Sequence, residues 1–425
     1  MKNKLNFVLN EVLENINPSK EELNFMESSL QDFLLRIKKR IKNLSIDATV
    51  FVGGSYAKKT LIKGEFYDID VFLRFGKKYK EKDYGKLSRK ILRWERKVKT
   101  VHGSRDYFRI NLGNSVFFEI VPVKKIKNPK EALNITDLSY SHVDYISKKV
   151  KTKKVIDGIK LAKSFLKASK SYGAESYVHG FSGYSLELLV YYFKSFEKFL
   201  KELSKERKEK LIIDIEKLYK KENVLLDMNG SKLDSPIILV DPTFKARNVL
   251  AALTEETYEN FQKKAREFLK NPNMKFFKEK KIDFENEKNK SKKKSLEFLK
   301  IKIKTKKEEG DVAGTKLLKF FNHLGRELNL AFEVKNKDFE YDKKKVGIGY
   351  FVLKRKKEII FSGPLIKDEK NVRRFKEEHK NIIEKKGRLY AFKKIDFLAK
   401  DFLKEWLNKN KRKVKEMYIT EVILD

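Results

Sequence analysis

Cysteine is absent from the 425 residues. Disulfides and thiolate-held metals are therefore excluded, although the compartment stays open on that ground alone. Long apolar runs are missing as well. No stretch approaches the roughly 20 residues of a membrane span, so no membrane role is expected. The opening MKNKLNFVLNEVLENI is interrupted by lysines and glutamates and reads as an amphipathic helix, not a leader. The cytoplasm is the expected compartment. No internal repeat is found. Histidine is scarce, with five residues, and acids fall well short of bases, 60 against 99, leaving a formal net charge of +39. A field of that sign draws polyanions, and nucleic acids are the abundant soluble ones. Lysine greatly outnumbers arginine, so a general lysine bias accounts for part of the excess. With 40% hydrophobic residues the chain can bury several cores rather than remain disordered.

Leu5, Val8, Leu9, Val12, Leu13 and Ile16 fall at helical spacing. Ser19 with Glu22 forms a capping-box signature for a second helix reaching about Asn43. Strands are expected at Ala48–Val52, Asp68–Phe75, Arg105–Leu112 and Val116–Val123, with a helix over Tyr84–Lys99. Residues 150–270 read as mostly helical, in helices over Val155–Ser171, Tyr184–Leu203 and Glu255–Lys270, with a short strand at 236–240. The segment KEKKIDFENEKNKSKKKS reads as an exposed linker or hairpin. Beyond it, an α+β module is expected: strands at Leu296–Ile303, 347–354, 358–362 and 388–393, and helices at Thr315–Leu328, 368–384 and 396–410.

The stretch GGSYAKKTLIKGEFYDIDVFLRF, Gly53 to Phe75, carries the chemistry. Side chains alternate across a strand, so Asp68 and Asp70 share one face and Ile69 and Val71 the other. Neighbouring carboxylates repel, and a hard divalent cation such as Mg²⁺ between them relieves the repulsion. Alone, D-x-D is a weak signal, since two aspartates on an exposed edge strand also satisfy it. Gly53 and Gly54 permit close backbone approach. Ser55 offers a hydroxyl and an N–H at a helix start, and Lys58 adds a cation. Together they form a phosphate cradle a dozen residues ahead of the acids. A third acid, Glu119, is the only charge in VFFEIVPV. Three carboxylates could hold two metals about 3.5–4 Å apart, activating a hydroxyl nucleophile and neutralising a leaving pyrophosphate.

The G-S then D-I-D pattern, with an acid on a later strand, resembles the nucleotidyltransferase superfamily of polymerase beta. FSGYSLELLVYYFKSF at 181–196, LVDPTFKARNVLAALT at 239–254, KLAKSFLKASKSYGAES at 160–176 and GPLIKDEKNVRRFKEEHK at 363–380 resemble blocks of the archaeal-type (class I) CCA-adding enzymes. The resemblance covers most of the chain in the right order. It implies an α+β multidomain fold: a catalytic head (1–145), a helical neck that recognises the nucleotide (146–262), and a basic α+β RNA-binding body and tail (263–425, tail about 305–385). It implies Asp68, Asp70 and Glu119 as metal-binding catalytic acids. Gly54, Ser55, Lys58, Lys163 and Tyr172 would hold the nucleotide, His142 would contact it and Arg247 would read its base. Lysine stands at 58 where the family has arginine, keeping the charge without the bidentate fork, and Ser139 stands where it has threonine. The implied activity is template-independent addition of CCA to the 3′ end of tRNA from CTP and ATP with Mg²⁺. The implied contacts are the tRNA acceptor stem and T arm, and the implied assembly is a homodimer. A poly(A) polymerase, an oligoadenylate synthetase and a non-catalytic basic RNA-binding protein remain as alternatives. Taken singly, His142, Lys163, Tyr172 and Arg247 would pass for ordinary surface or packing residues.

Overall fold

The structure, a computed structural model, describes residues 2–425 apart from Ser104, Lys221, Glu222 and Glu308. It divides into two compact units, Met1–Lys280 and Lys281–Asp425.

In the first unit two helices lead. α1 (Lys2–Ile16) and α2 (Lys20–Asn43) are separated at Pro18. The capping box forms as its residues predict: Ser19 Oγ accepts from Glu22 N–H at 3.1 Å and Glu22 Oε2 from Ser19 N–H at 2.7 Å. β1 (Ala48–Val52), the single turn α3 (Gly54–Ala57), β2 (Tyr67–Phe75), α4 (Glu81–Ile91), β3 (Val98–Val101), β4 (Tyr107–Gly113) and β5 (Val116–Lys124) follow. The five strands form one sheet in the order β1-β2-β5-β4-β3. β2 and β5 are parallel, and the other neighbours antiparallel. Alternation decides what each face carries. Ile69, Val71, Phe118 and Ile120 are buried in one core with Met26, Leu30, Phe33 and Ile37 of α2 and with Tyr84 and Ile91 of α4. The opposite face receives Asp68, Asp70 and Glu119. The helix expected over Tyr84–Lys99 ends at Ile91, and β3 occupies its last residues, a strand too short to show a period.

A second core in the same unit gathers α5 (Ser139–Lys149), α6 (Lys153–Ala168), α7 (Gly183–Phe193), α8 (Phe196–Leu203) and α10 (Glu255–Lys270). Phe165 sits at its centre, with the rings of Phe196, Phe268 and Phe277 5.8–6.0 Å away. Val8, Leu9 and Val12 of α1 bury here, so the first helix packs with residues 146–277 rather than with the sheet that follows it. The helix expected over Tyr184–Leu203 breaks in two: Lys194 takes φ 68° and Ser195 caps α8. β6 (Leu211–Ile213), the single turn α9 (Val224–Asp227), β7 (Ile237–Asp241) and β8 (Phe244–Asn248) complete the unit, and the strands form a small sheet in the order β6-β7-β8.

The second unit holds two sheets. One has the order β10-β11-β9-β15, from β9 (Glu297–Thr305), β10 (Phe332–Tyr341), β11 (Val346–Arg355) and β15 (Ile419–Leu424). Its core takes Leu317, Phe320, Phe321 and Leu324 from α12 (Asp311–Ala331) and Leu403 from α14 (Ala399–Lys409). The other, β12-β14-β13, comprises β12 (Glu358–Leu365), β13 (Ile382–Lys385) and β14 (Arg388–Lys394), packed by α13 (Glu369–Glu378). α15 (Lys411–Glu416) precedes β15. The expected linker contains α11 (Phe284–Lys293), with Asp283 Oδ1 accepting from Asn286 N–H. The expected helix over 368–384 stops at Glu378, and its end pairs as β13. β10 is missed because its charged run FEVKNKDFEY hides an edge strand.

Candidate active site

In the parallel β2–β5 register Asp70 stands opposite Glu119, and Asp68 opposite Phe117. The three predicted acids therefore meet on one face. The path into the site is fixed by Gly54. Its φ is +61°, and a Cβ there would lie 1.6 Å from Asp70 Oδ2. Only glycine lets the chain press this close to the carboxylate. The Gly53 N–H donates to the Asp70 carbonyl at 2.9 Å, which ties the turn to β2.

Crowding sets the protonation. Burial raises Asp70 to about 6, opposed by Lys58 and reinforced by Asp68. Burial and the charges of Asp68 and Asp70 raise Glu119 to about 8. Arg109 on β4, cross-strand neighbour of Glu119, supplies the nearest counter-charge. Its Nη2 donates to Asp68 Oδ1 at 2.7 Å, and its Nε lies 3.6 Å from Glu119 Oε1. Among the described residues no three of His, Asp or Glu form a ready metal cage, and Arg109 stands between two of the acids. The donors still fit a hard divalent cation: all are oxygens, and their mutual repulsion is what such an ion relieves.

A cavity of about 220 Å³ borders this face. Gly54, Ser55, Lys58, Asp70, Lys163 and Tyr172 line it, so predicted residues distant in sequence converge. α3 is one turn long, so it contributes local N–H groups and not a helix field. Burial, with Lys167 next, lowers Lys163 to about 8. Its Nζ lies 5.7 Å from the Tyr172 ring centroid. The same wall contains Glu187 of α7, which no sequence argument above singles out. Its carboxylate accepts from Lys58 Nζ at 2.7 Å and from Thr60 Oγ1 at 3.1 Å, in a pair whose side chains are 10% and 4% exposed. The signal was available: Glu187 is the lone charge in GYSLELLVYYF, as Glu119 is in its strand.

His142 and Arg247 form a separate cluster around Asp241. Arg247 Nη1 donates to Asp241 Oδ2 at 2.7 Å, and His142 Nε2 stands 3.2 Å from the same oxygen. Thr243 N–H and Tyr184 OH donate to Oδ1, and the Tyr184 ring stacks on His142 at 4.0 Å. Burial would raise Asp241, but His142 and Arg247 hold it well below the usual carboxylate range. Burial lowers His142, with Asp241 opposing. Neither His142 nor Arg247 borders the 220 Å³ cavity. Gly183, beside Tyr184, does.

The arrangement offers acids for cations, lysines for phosphates and a rigid polar cluster beside them. Comparison with known proteins places the chain among relatives. Residues 34–156 match the family described as nucleotidyltransferase domain, and residues 157–278 the family described as tRNA nucleotidyltransferase, second domain. The CCA-adding enzyme of Nanoarchaeum equitans is 38% identical over 247 residues, 57% of this chain and 59% of that protein. Those of Thermococcus gammatolerans and Methanocaldococcus jannaschii are each 32% identical, over 64% of this chain and 60% and 61% of theirs. The matched stretch thus spans about three fifths of these relatives' length. In fold, the chain is similar to the Cid1 poly(U) polymerase, with a TM-score of 0.51 at 14% identity over 66% of this chain and 99% of that one. A cytoplasmic RNA terminal U-transferase gives 0.50 at 15% identity, over 66% and 100%.

Proposed function

We propose that this chain, which belongs through residues 34–278 to the tRNA nucleotidyltransferase family of the archaeal CCA-adding enzymes, adds C, C and A to the 3′ end of tRNA from CTP and ATP. The observation that carries the reading is the meeting of Asp68, Asp70 and Glu119 beside a cavity lined by Ser55, Lys58 and Lys163.

In this reading the three carboxylates would hold divalent cations, Mg²⁺, which would neutralise the triphosphate and acidify the attacking hydroxyl. Lys58, Lys163 and Ser55 hold the triphosphate, and the close approach at Gly54 leaves room for it beside Asp70. The 3′-hydroxyl of the RNA gives up its proton to water and attacks the α-phosphorus; an O–P bond forms, the bond from that phosphorus to the oxygen bridging to the β-phosphate breaks, and pyrophosphate leaves. Lys58 and Lys163 then face the leaving group, where negative charge accumulates. Arg247 and His142, fixed by Asp241, present a donor-rich edge to the base; a buried polar edge rejects bases that leave it unpaired. Residues 1–145 serve as the catalytic head, save that α1 packs with the neck, and 146–262 serve as the nucleotide-recognising neck. The lysine-rich remainder, with its tail at about 305–385, grips the acceptor stem and T arm through phosphates and 2′-hydroxyls, as duplex RNA requires. A homodimer and a cytoplasmic location complete the reading. Among the described residues no helix is long and apolar enough to cross a membrane.

The test is incorporation of labelled CTP and ATP into tRNA transcripts lacking CCA. Completion to CCA followed by arrest supports the reading; unlimited addition of A would replace it with a polymerase of the same fold.

A further inference from the structure

The β4 side of the acids carries a second group of side chains. Phe117 lies opposite Asp68 and two residues before Glu119, on the face that bears the acids. Phe66 immediately precedes β2 and is 37% exposed. The two rings meet edge to face, 6.0 Å apart at 84°. The Arg109 guanidinium lies 4.0 Å from the Phe117 centroid and 5.0 Å from that of Phe66. Its Nε is buried and makes no hydrogen bond among the described residues. An exposed phenylalanine, a second ring on the acid face and an arginine lying over both thus stand at one place beside the acids.

We propose that Phe66, Phe117 and Arg109 form the seat for the 3′-terminal nucleotide of the RNA acceptor. This rests on the RNA-extending function proposed above.

Topology separates the two substrates. The cation-lined cavity follows β1 and touches Asp70, whereas Arg109 comes from β4 and touches Asp68 and approaches Glu119. β1 and β4 flank the β2–β5 pair on opposite sides. An in-line displacement needs its nucleophile opposite the leaving pyrophosphate, and the aromatic pair stands where that nucleophile enters. Stacking also suits a terminus whose base changes at each addition, because every base has a π-face while hydrogen bonds would favour one base. Arg109 is spent on Asp68 in this structure; with cations on the acids, its guanidinium turns to the terminal phosphodiester.

The probe is a tRNA transcript ending before CCA with 2-aminopurine as its last residue, titrated with the full chain in Mg²⁺ without nucleotide. Stacking on the phenylalanines quenches its fluorescence. In Phe66→Leu/Phe117→Leu the quench disappears and, with Mg²⁺ and CTP, KM for tRNA rises about 10- to 100-fold. Arg109→Lys, which keeps the charge but not the planar fork, raises that KM less than Arg109→Ala does. Pyrophosphate binding by calorimetry stays at the wild-type value in Phe66→Leu/Phe117→Leu, which also reports that the fold persists. An unquenched wild-type complex, or a double variant with wild-type quench and KM, overturns the seat. A wild-type chain that quenches the probe yet extends no RNA overturns the function reading and leaves the seat standing as an RNA-end site.

Discussion

Glu119→Gln separates the electrostatic cost of the site from its use. In the metal-free protein Glu119 titrates near 8, against 4.5 for an ordinary glutamate, because it is buried beside Asp68 and Asp70. Between those values the folded state keeps a proton that the unfolded chain has released. Stability therefore falls as pH rises from about 4.5 to about 8, and levels off beyond. At pH 7.5 the unscreened cost is roughly 4 kcal/mol, from 1.36 kcal/mol per pKa unit. The charge of Arg109, 3.6 Å from the carboxylate, is already part of that value; screening by solvent at the open side of the site brings the cost to about 2 kcal/mol. Glutamine keeps the shape and removes the charge. In EDTA the variant should thus match wild type at pH 5 and exceed it by about 4–8 °C in Tm at pH 8. Saturating Mg²⁺ should close the gap by stabilising wild type more than the variant, while the variant's CTP incorporation falls at least about 100-fold. Parallel pH profiles for the two proteins in EDTA would refute the reasoning, because Glu119 would then sit free of its neighbours.

Asp70→Ala should reduce nucleotide incorporation by more than about 1,000-fold and leave tRNA affinity within about threefold in a filter-binding assay, since the proposed reading assigns that affinity to the basic body. Glu187→Gln leaves Lys58 without its buried partner and should cost about 3 kcal/mol, read as a lowered Tm that pyrophosphate restores more fully than it stabilises wild type. Gly54→Ala places a methyl on the Asp70 carboxylate; kcat should fall at least about tenfold while tRNA binding persists. Arg247→Ala should raise KM for CTP and ATP by about 10- to 100-fold and relax the choice between them, measured by competing the two nucleotides on one transcript.

What could be read from the chain follows from how local each signal is. The capping box at Ser19, the helix Glu255–Lys270 and the strand Ala48–Val52 are set by neighbours a few residues apart, and the structure has them at those bounds. Asp68 and Asp70 are visible because alternation places them off the apolar face, and Glu119 because it is a lone charge in an apolar strand. β3 and β6 are too short for a period to declare them. The break at Lys194 is a left-handed residue without glycine to announce it. Arg109 is invisible for a different reason. It reads as one charge in an alternating strand, and only its register against Glu119 brings it to the acids. Asp241 likewise looks like a turn residue before Pro242; its four polar partners come from β8, α5, α7 and its own turn. Tertiary pairing, not composition, creates both.

Whether the chain builds CCA is decided by supplying three tRNA transcripts, ending before CCA, after C and after CC, with labelled CTP, ATP and Mg²⁺. The reading developed above requires each to be completed to CCA and extension then to stop. Unlimited addition of one nucleotide to any of them, or no addition to all three, would contradict it.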